Sequence, residues 1–239
     1  MKRFILMTVA AVVLAGCSFP VKPLSGVLMT ETYVIDTDYK TISASGAVSV
    51  TYSAEADVMT VTADSVVMAD FEYSVSDKVL RLGRKTDIVS LYKGDSFIRV
   101  ILPASTSLSE VRLSGASSFD SQVLLKASDF TVSLSGASDF NGTVEVCNLD
   151  VNVSGASDVD LSGCAVSAAY DVSGASNVAS SDSYVNSESV TISVSGASSL
   201  YAGASERISG NVSGASAATC YGTPEASVGT SGASSFHLK

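Results

Sequence analysis

Between residues 111 and 230, apolar and polar positions alternate in short bursts, and each burst stops at the same four residues. Val111 and Leu113, Val132 and Leu134, Val151 and Val153, Tyr170 and Val172, and Ile192 and Val194 each flank one polar residue. Apolar, polar, apolar is the period-2 signature of a strand with one buried face. Most of these residues are β-branched, which favours a strand over a helix. The stop is Ser-Gly-Ala-Ser, which starts at Ser114, Ser135, Ser154, Ser173, Ser195, Ser213 and Ser231, in steps of 21, 19, 19, 22, 18 and 18 residues. Five positions after each first serine stand Phe119, Phe140, Val159, Val178, Leu200, Ala218 and Phe236, a third apolar column.

Self-similarity at this period marks a solenoid, in which each repeat is one unit stacked on the next. Glycine tolerates positive φ, so the unit reads strand, bend, strand. The alanine after it is small enough to point inward at a corner. Parallel stacking puts like residues above like, about 4.8 Å apart. There is no strict six-residue apolar period, and steps of 19, 21 and 22 suit a left-handed hexapeptide helix poorly. The expected fold is all-β, a right-handed parallel β-helix of 18–22 residues per turn with a less regular β N-terminal part. Residues 42–50 form an eighth, degenerate copy with Ser-Gly-Ala-Val, keeping Ile42, Ala44 and Val50. Strands are expected at 58–62, 71–75, 79–82 and 97–102, with a turn at Asp77-Lys78 and a charged loop over 83–96. Residues 27–239 read as one domain.

Lys2 and Arg3 precede an apolar run over 4–14, then Leu14-Ala-Gly-Cys17. This is a secretory signal, too short to span a bilayer as a helix. Its cysteine resembles the bacterial lipobox, which implies removal of 1–16, acylation of Cys17 and a short tether over 17–26. Several acyl chains anchor stably where one is marginal. Ser18, where an Asp could stand, points to the outer membrane, facing either the periplasm or the outside.

Without Lys2 and Arg3 the chain has 12 basic and 24 acidic residues, net −12, and residues 104–239 carry 4 basic and 13 acidic, net −9. Such a surface repels nucleic acid and anionic lipid. Cys147, Cys164 and Cys220 are an odd set and no disulfide framework. Cys147 and Cys164 lie on neighbouring turns, either bridged or packed as small core residues. One histidine, His237, gives no metal cluster and no evident triad, and neither a catalytic group nor a cofactor is expected. After Ser-Gly-Ala-Ser, Asp139, Asp158 and Asn177 would stack as a polar ladder, with Asp160 on the same face as Asp158. This is a candidate ligand or Ca²⁺ ladder, or an acid–base pair, or more simply a row of solvated residues after a bend.

The lipobox, the 42–50 segment, the strand at 79–82 and the repeated Leu- or Val-Ser-Gly-Ala-Ser copies together resemble the auto-transporter adhesin head GIN domain family of exported bacterial proteins. The resemblance covers roughly 33–239. It implies a parallel β-helical head and brings no catalytic residues. The leading reading is a lipid-anchored, non-enzymatic binding or adhesion module whose partner is a membrane on one side and a glycan or protein on the other. A carbohydrate-active β-helix enzyme using Asp139, Asp158 and Asp160, and a periplasmic structural lipoprotein, are the alternatives.

Overall fold

The computed structural model describes residues 21–85, 91–94 and 96–239. Cys17 and the signal segment lie outside the described residues. The strands Ser118–Leu134, Asp139–Val153 and Asp158–Val172 lie one above another in parallel. Val185–Val194, Ser199–Val212, Glu225–Thr230 and Ser235–Leu238 continue the stack. The result is a β-solenoid of about seven turns.

The predicted columns form in register. Val111 pairs with Val132, Val132 with Val151, Val151 with Tyr170 and Tyr170 with Ile192. Phe119 lies beside Phe140, their rings 5.3 Å apart and 14° from parallel. All of these side chains are buried. A burial period of two cannot run round a closed coil unbroken, and it skips at corners. In Asp139–Val153 the buried positions alternate up to Val146, then Cys147 and Asn148 are both exposed before Leu149 resumes the count. Such a skip is one corner of the coil and Ser-Gly-Ala-Ser is another.

That second corner differs from expectation. The alanine faces outward in every Ser-Gly-Ala-Ser copy, and in the first six copies the fourth serine is the buried one. Glycine sits at positive φ, +81° at Gly136 and +84° at Gly155, and this reverses the side on which the next residues fall. The exposed alanine contributes through its backbone: Ala156 N–H donates to the Gly136 carbonyl of the preceding coil at 2.7 Å.

Before Gly115 the chain builds the first end of the stack. Thr41–Ser45 lies beside Glu110–Ser114, and Val48–Ser53 beside Ser118–Leu134. On the other side of these strands come Val79–Arg84 and Ile98–Pro103, both parallel. Antiparallel strands finish each column, Phe71–Ser76 on one and Met59–Asp64 then Leu28–Tyr33 on the other. Asp77 and Lys78, at φ +53° and +61°, make the predicted turn. A one-turn helix, Ser65–Met68, is capped by Asp64, whose Oδ1 accepts from Val66 N–H at 2.9 Å. The same carboxylate holds Ser25 and Gly26, and Val21–Pro23 pairs with Leu91–Lys93. Much of the segment read as tether is therefore fastened to the body.

Cys147, Cys164 and Cys220 are all free thiols. Cys164 stands opposite Glu145, two residues from Cys147, so neighbouring turns do not bring the two thiols into register. Both are exposed, and only Cys220 is packed in the core as a small apolar residue.

Candidate functional site

The sequence-predicted ladder forms. Asp139 is opposite Asp158, Asp158 opposite Asn177, and Asn177 opposite Ser199, all on the outer face of the sheet that follows the glycine corner. Its members largely satisfy one another. Asn177 Nδ2 donates to Asp158 Oδ1 at 2.7 Å, and Ser199 Oγ donates to Asn177 Oδ1 at 2.7 Å. Asp160 belongs to the next outer column, with Asn141 and Asp120. Ser183 Oγ donates to it at 2.7 Å, and Asn141 Nδ2 donates to Asp120 at 2.7 Å. Among the described residues no group of three or more His, Cys, Asp or Glu is placed to hold a metal ion. Hydrolytic chemistry needs two carboxyls facing each other across a bound substrate. Asp139 and Asp158 sit side by side on one exposed face.

Partial burial, and secondarily the Asp158 carboxylate, push the Asp139 carboxyl above the usual carboxylate range. A carboxyl raised in the folded state stabilises the fold fully below its unfolded pKa of about 3.9, and the contribution is lost as pH rises through the folded value. Asp139→Asn should therefore raise stability at pH 7 by roughly 0.2–0.5 kcal/mol, the scale of a screened like-charge cross-strand pair. Urea titrations of both proteins at pH 7 and pH 3 check this, since the gain should vanish in acid.

A different feature has more of the shape of a binding site. A shallow groove of about 440 Å³ runs along the stack beside the glycine corner. Its floor is one outer column in continuous register: Ser43, Arg112, Ser133, Asn152 and Asp171, five successive coils. Its wall is the first serine of each corner, from Ser114 to Ser173. The groove offers hydroxyls, an amide, one guanidinium and one carboxylate at a repeat of about 4.8 Å. Arg112 is braced by Glu110, Nε to Oε1 at 2.6 Å and a second nitrogen to Oε2 at 2.8 Å, and this two-point pairing fixes the plane of the guanidinium. In the sequence each of these residues is the single polar position between two apolar ones. Only the register shows that they form a line.

A second groove, of about 500 Å³, lies near the other end. Tyr184 and Tyr221, two coils apart, stack there with ring centres 4.7 Å apart and planes 8° from parallel. Gly203 stands in register between Asn186 and Tyr221. A Cβ on it would come within 2.5 Å of Asn186 Oδ1 and 3.0 Å of the Tyr184 ring, so a missing side chain lets the two rings meet.

The description "Putative auto-transporter adhesin, head GIN domain" belongs to a family model that matches residues 38–224, most of the chain. The chain belongs to this head GIN domain family. A second family model, "Prokaryotic membrane lipoprotein lipid attachment site", matches residues 1–18 of this GIN-domain protein and includes Cys17. The head GIN domain superposes on a putative adhesin from Bacteroides fragilis with a TM-score of 0.79 at 19% identity, over 91% of this chain and 100% of that one. A putative adhesin from Parabacteroides distasonis gives 0.73 at 17% identity, over 91% and 99%. A putative lipid binding protein from the same species gives 0.69 at 17%, over 92% and 100%. At these identities the likeness is one of fold. No curated protein matches the sequence.

Proposed function

We propose that this head GIN domain is a non-enzymatic binding module, held at the bacterial outer membrane by acylated Cys17, that receives an extended polar ligand, a glycan chain, along the groove from Ser43 to Asp171. The observation that carries the reading is the groove's repeat. Five coils present hydrogen-bonding side chains in one straight row, and long solenoid faces suit extended ligands. A polymer of hydroxyl-bearing units meets such a row with the same kind of contact at each step. The family's adhesin description agrees with a binding role, and so does a groove floor free of paired carboxyls.

The test has two parts. Protease shaving and antibody labelling of intact cells, with a periplasmic protein as control, should reach the solenoid from outside. Protection until the envelope is opened would rule out adhesion and leave a periplasmic structural role. On a glycan array, Arg112→Ala together with Asn152→Ala should lower binding about ten-fold or more, because each unmade charged or bidentate contact in a polar site costs on the order of 1–3 kcal/mol. Undiminished binding would remove the groove from the reading.

A further inference from the structure

We infer that the N-terminal end of the solenoid is a membrane-contacting face, so that the stack rests on the bilayer by its first strands and its coils rise away from it. The inference rests on acylation of Cys17 and is independent of any ligand in the groove.

The end face is built from two edge strands, Leu28–Tyr33 and Phe71–Ser76, the outermost of their columns. An edge strand presents unpaired N–H and C=O groups and is ordinarily protected by charge, proline or a covering element. These two carry one acidic residue each, Glu31 and Glu72, and no basic residue. Among their threonines and serines, exposed apolar side chains are concentrated here. Val21, Val27, Leu28, Met29, Tyr73 and Val75 make up half of the twelve large hydrophobic side chains exposed among the described residues, with Leu28 at 67% and Val27 at 60%. The Tyr33 and Tyr73 rings, 4.9 Å apart, join the two edges into one surface. An apolar patch of this kind on an otherwise polar protein marks an interaction site. Tyrosines beside aliphatic residues suit the headgroup region, where water and polar headgroups can still meet the strand edge.

The length of chain before the structure says what covers it. Val21 pairs with Leu91, and this start of the chain is fixed to the body by Lys22 on Asp70 at 3.7 Å and by Ser25 and Gly26 on Asp64. From Cys17 to Val21 are four Cα steps, at most about 14 Å of fully extended chain. Acyl chains on Cys17 thus keep this end within one short tether of the bilayer surface. A folded 100-residue domain has a radius of gyration of about 13 Å, too large to slip between. Charge points the same way. Residues 21–103 hold 8 of the 12 basic residues beyond the signal segment against 11 acidic, net −3, while 104–239 are at −9. An anionic leaflet repels the repeat more strongly than the first end. The groove then starts at Ser43, near the membrane, and climbs away from it to Asp171.

The chain contains no tryptophan, so a single introduced one reports alone. Full-length lipidated protein carrying Leu28→Trp, Val75→Trp or Val166→Trp is reconstituted in phosphatidylethanolamine–phosphatidylglycerol vesicles with or without brominated acyl chains. Val166 is an exposed side-face control at 48%. Interfacial burial on the scale of 5–10 Å predicts roughly two-fold or greater quenching of the first two and little of the third. Vesicle-floated protein with all three equally unquenched overturns the docking face while leaving the anchor in place. If the same result comes with a chemically cross-linked dimer, the face goes to a second copy and the proposal again falls. Protein that does not float at all shows that Cys17 acylation, and with it the docking face, is wrong.

Discussion

Gly174→Ala is expected to destabilise the solenoid by roughly 3–5 kcal/mol, in the range reserved for a few severe mechanisms. Two penalties coincide at this corner. Gly174 has φ +82°, which costs an L-residue about 1–2 kcal/mol. The added Cβ would also lie 2.2 Å from the Gly155 carbonyl oxygen of the coil before. That oxygen cannot move away cheaply, because it accepts the Ala175 N–H at 2.8 Å and so defines the coil spacing. Gly174 has the same relation to the next coil, where its carbonyl accepts the Ala197 N–H at 2.7 Å. In a stack whose stability is a sum of neighbour contacts, both interfaces of one coil are affected. Gly26→Ala separates the two penalties, since Gly26 has φ +75° with nothing within 4 Å of its would-be Cβ. It should cost about 1 kcal/mol, the backbone part alone. Urea unfolding followed by circular dichroism reads both. Equal losses at the two sites would show that close stacking of the corners adds nothing beyond backbone strain.

This doubly required glycine explains why the architecture was legible. A coil position that must be glycine, repeated at each turn, leaves a mark in the sequence that no surface position matches. Strand alternation then fixes the columns, and the stacking of Asp139, Asp158 and Asn177 follows from spacing alone. What could not be read is what lies across a corner. Period-2 counting carries the inside–outside phase along a strand, but a residue at positive φ resets it, so nothing local says whether the alanine or the fourth serine turns inward. At the other corner Cys147 and Asn148 are both exposed with no residue at positive φ, so the count skips there without a glycine to mark it. The one-turn helix Ser65–Met68 is too short for a helical period to appear, and it depends on the Asp64 cap. Both grooves are products of register between coils. Tyr184 and Tyr221 are 37 positions apart, and their meeting depends on Gly203 in the coil between.

Ser157→Ala should cost about 1–3 kcal/mol, although it removes a single oxygen from a small side chain. Ser157 is completely buried. Its Oγ donates to the Ser154 carbonyl at 3.1 Å and accepts the Ser138 N–H of the preceding coil at 3.3 Å. The same two-way pattern recurs at Ser176 and Ser198, so a line of hydroxyls inside the corner serves backbone groups that bend away from the sheet. Alanine at 157 leaves the Ser138 N–H buried without that acceptor, and an orphaned buried donor costs its full desolvation. Ser154→Ala is the comparison. That hydroxyl is half-exposed and makes a 3.3 Å bond to the Leu134 carbonyl, so its loss should stay within about 0.5 kcal/mol. The Ser-Gly-Ala-Val copy at 45–48 supports the assignment. Val48 takes the place there, and its neighbour Ile98 sends its N–H to the Ala47 carbonyl at 3.0 Å, needing no hydroxyl. Hence Ser157→Val, which more than fills the space of the hydroxyl but brings no acceptor, should do no better than alanine in urea unfolding. A valine variant as stable as the parent would mean that the hydroxyl line contributes nothing to the fold.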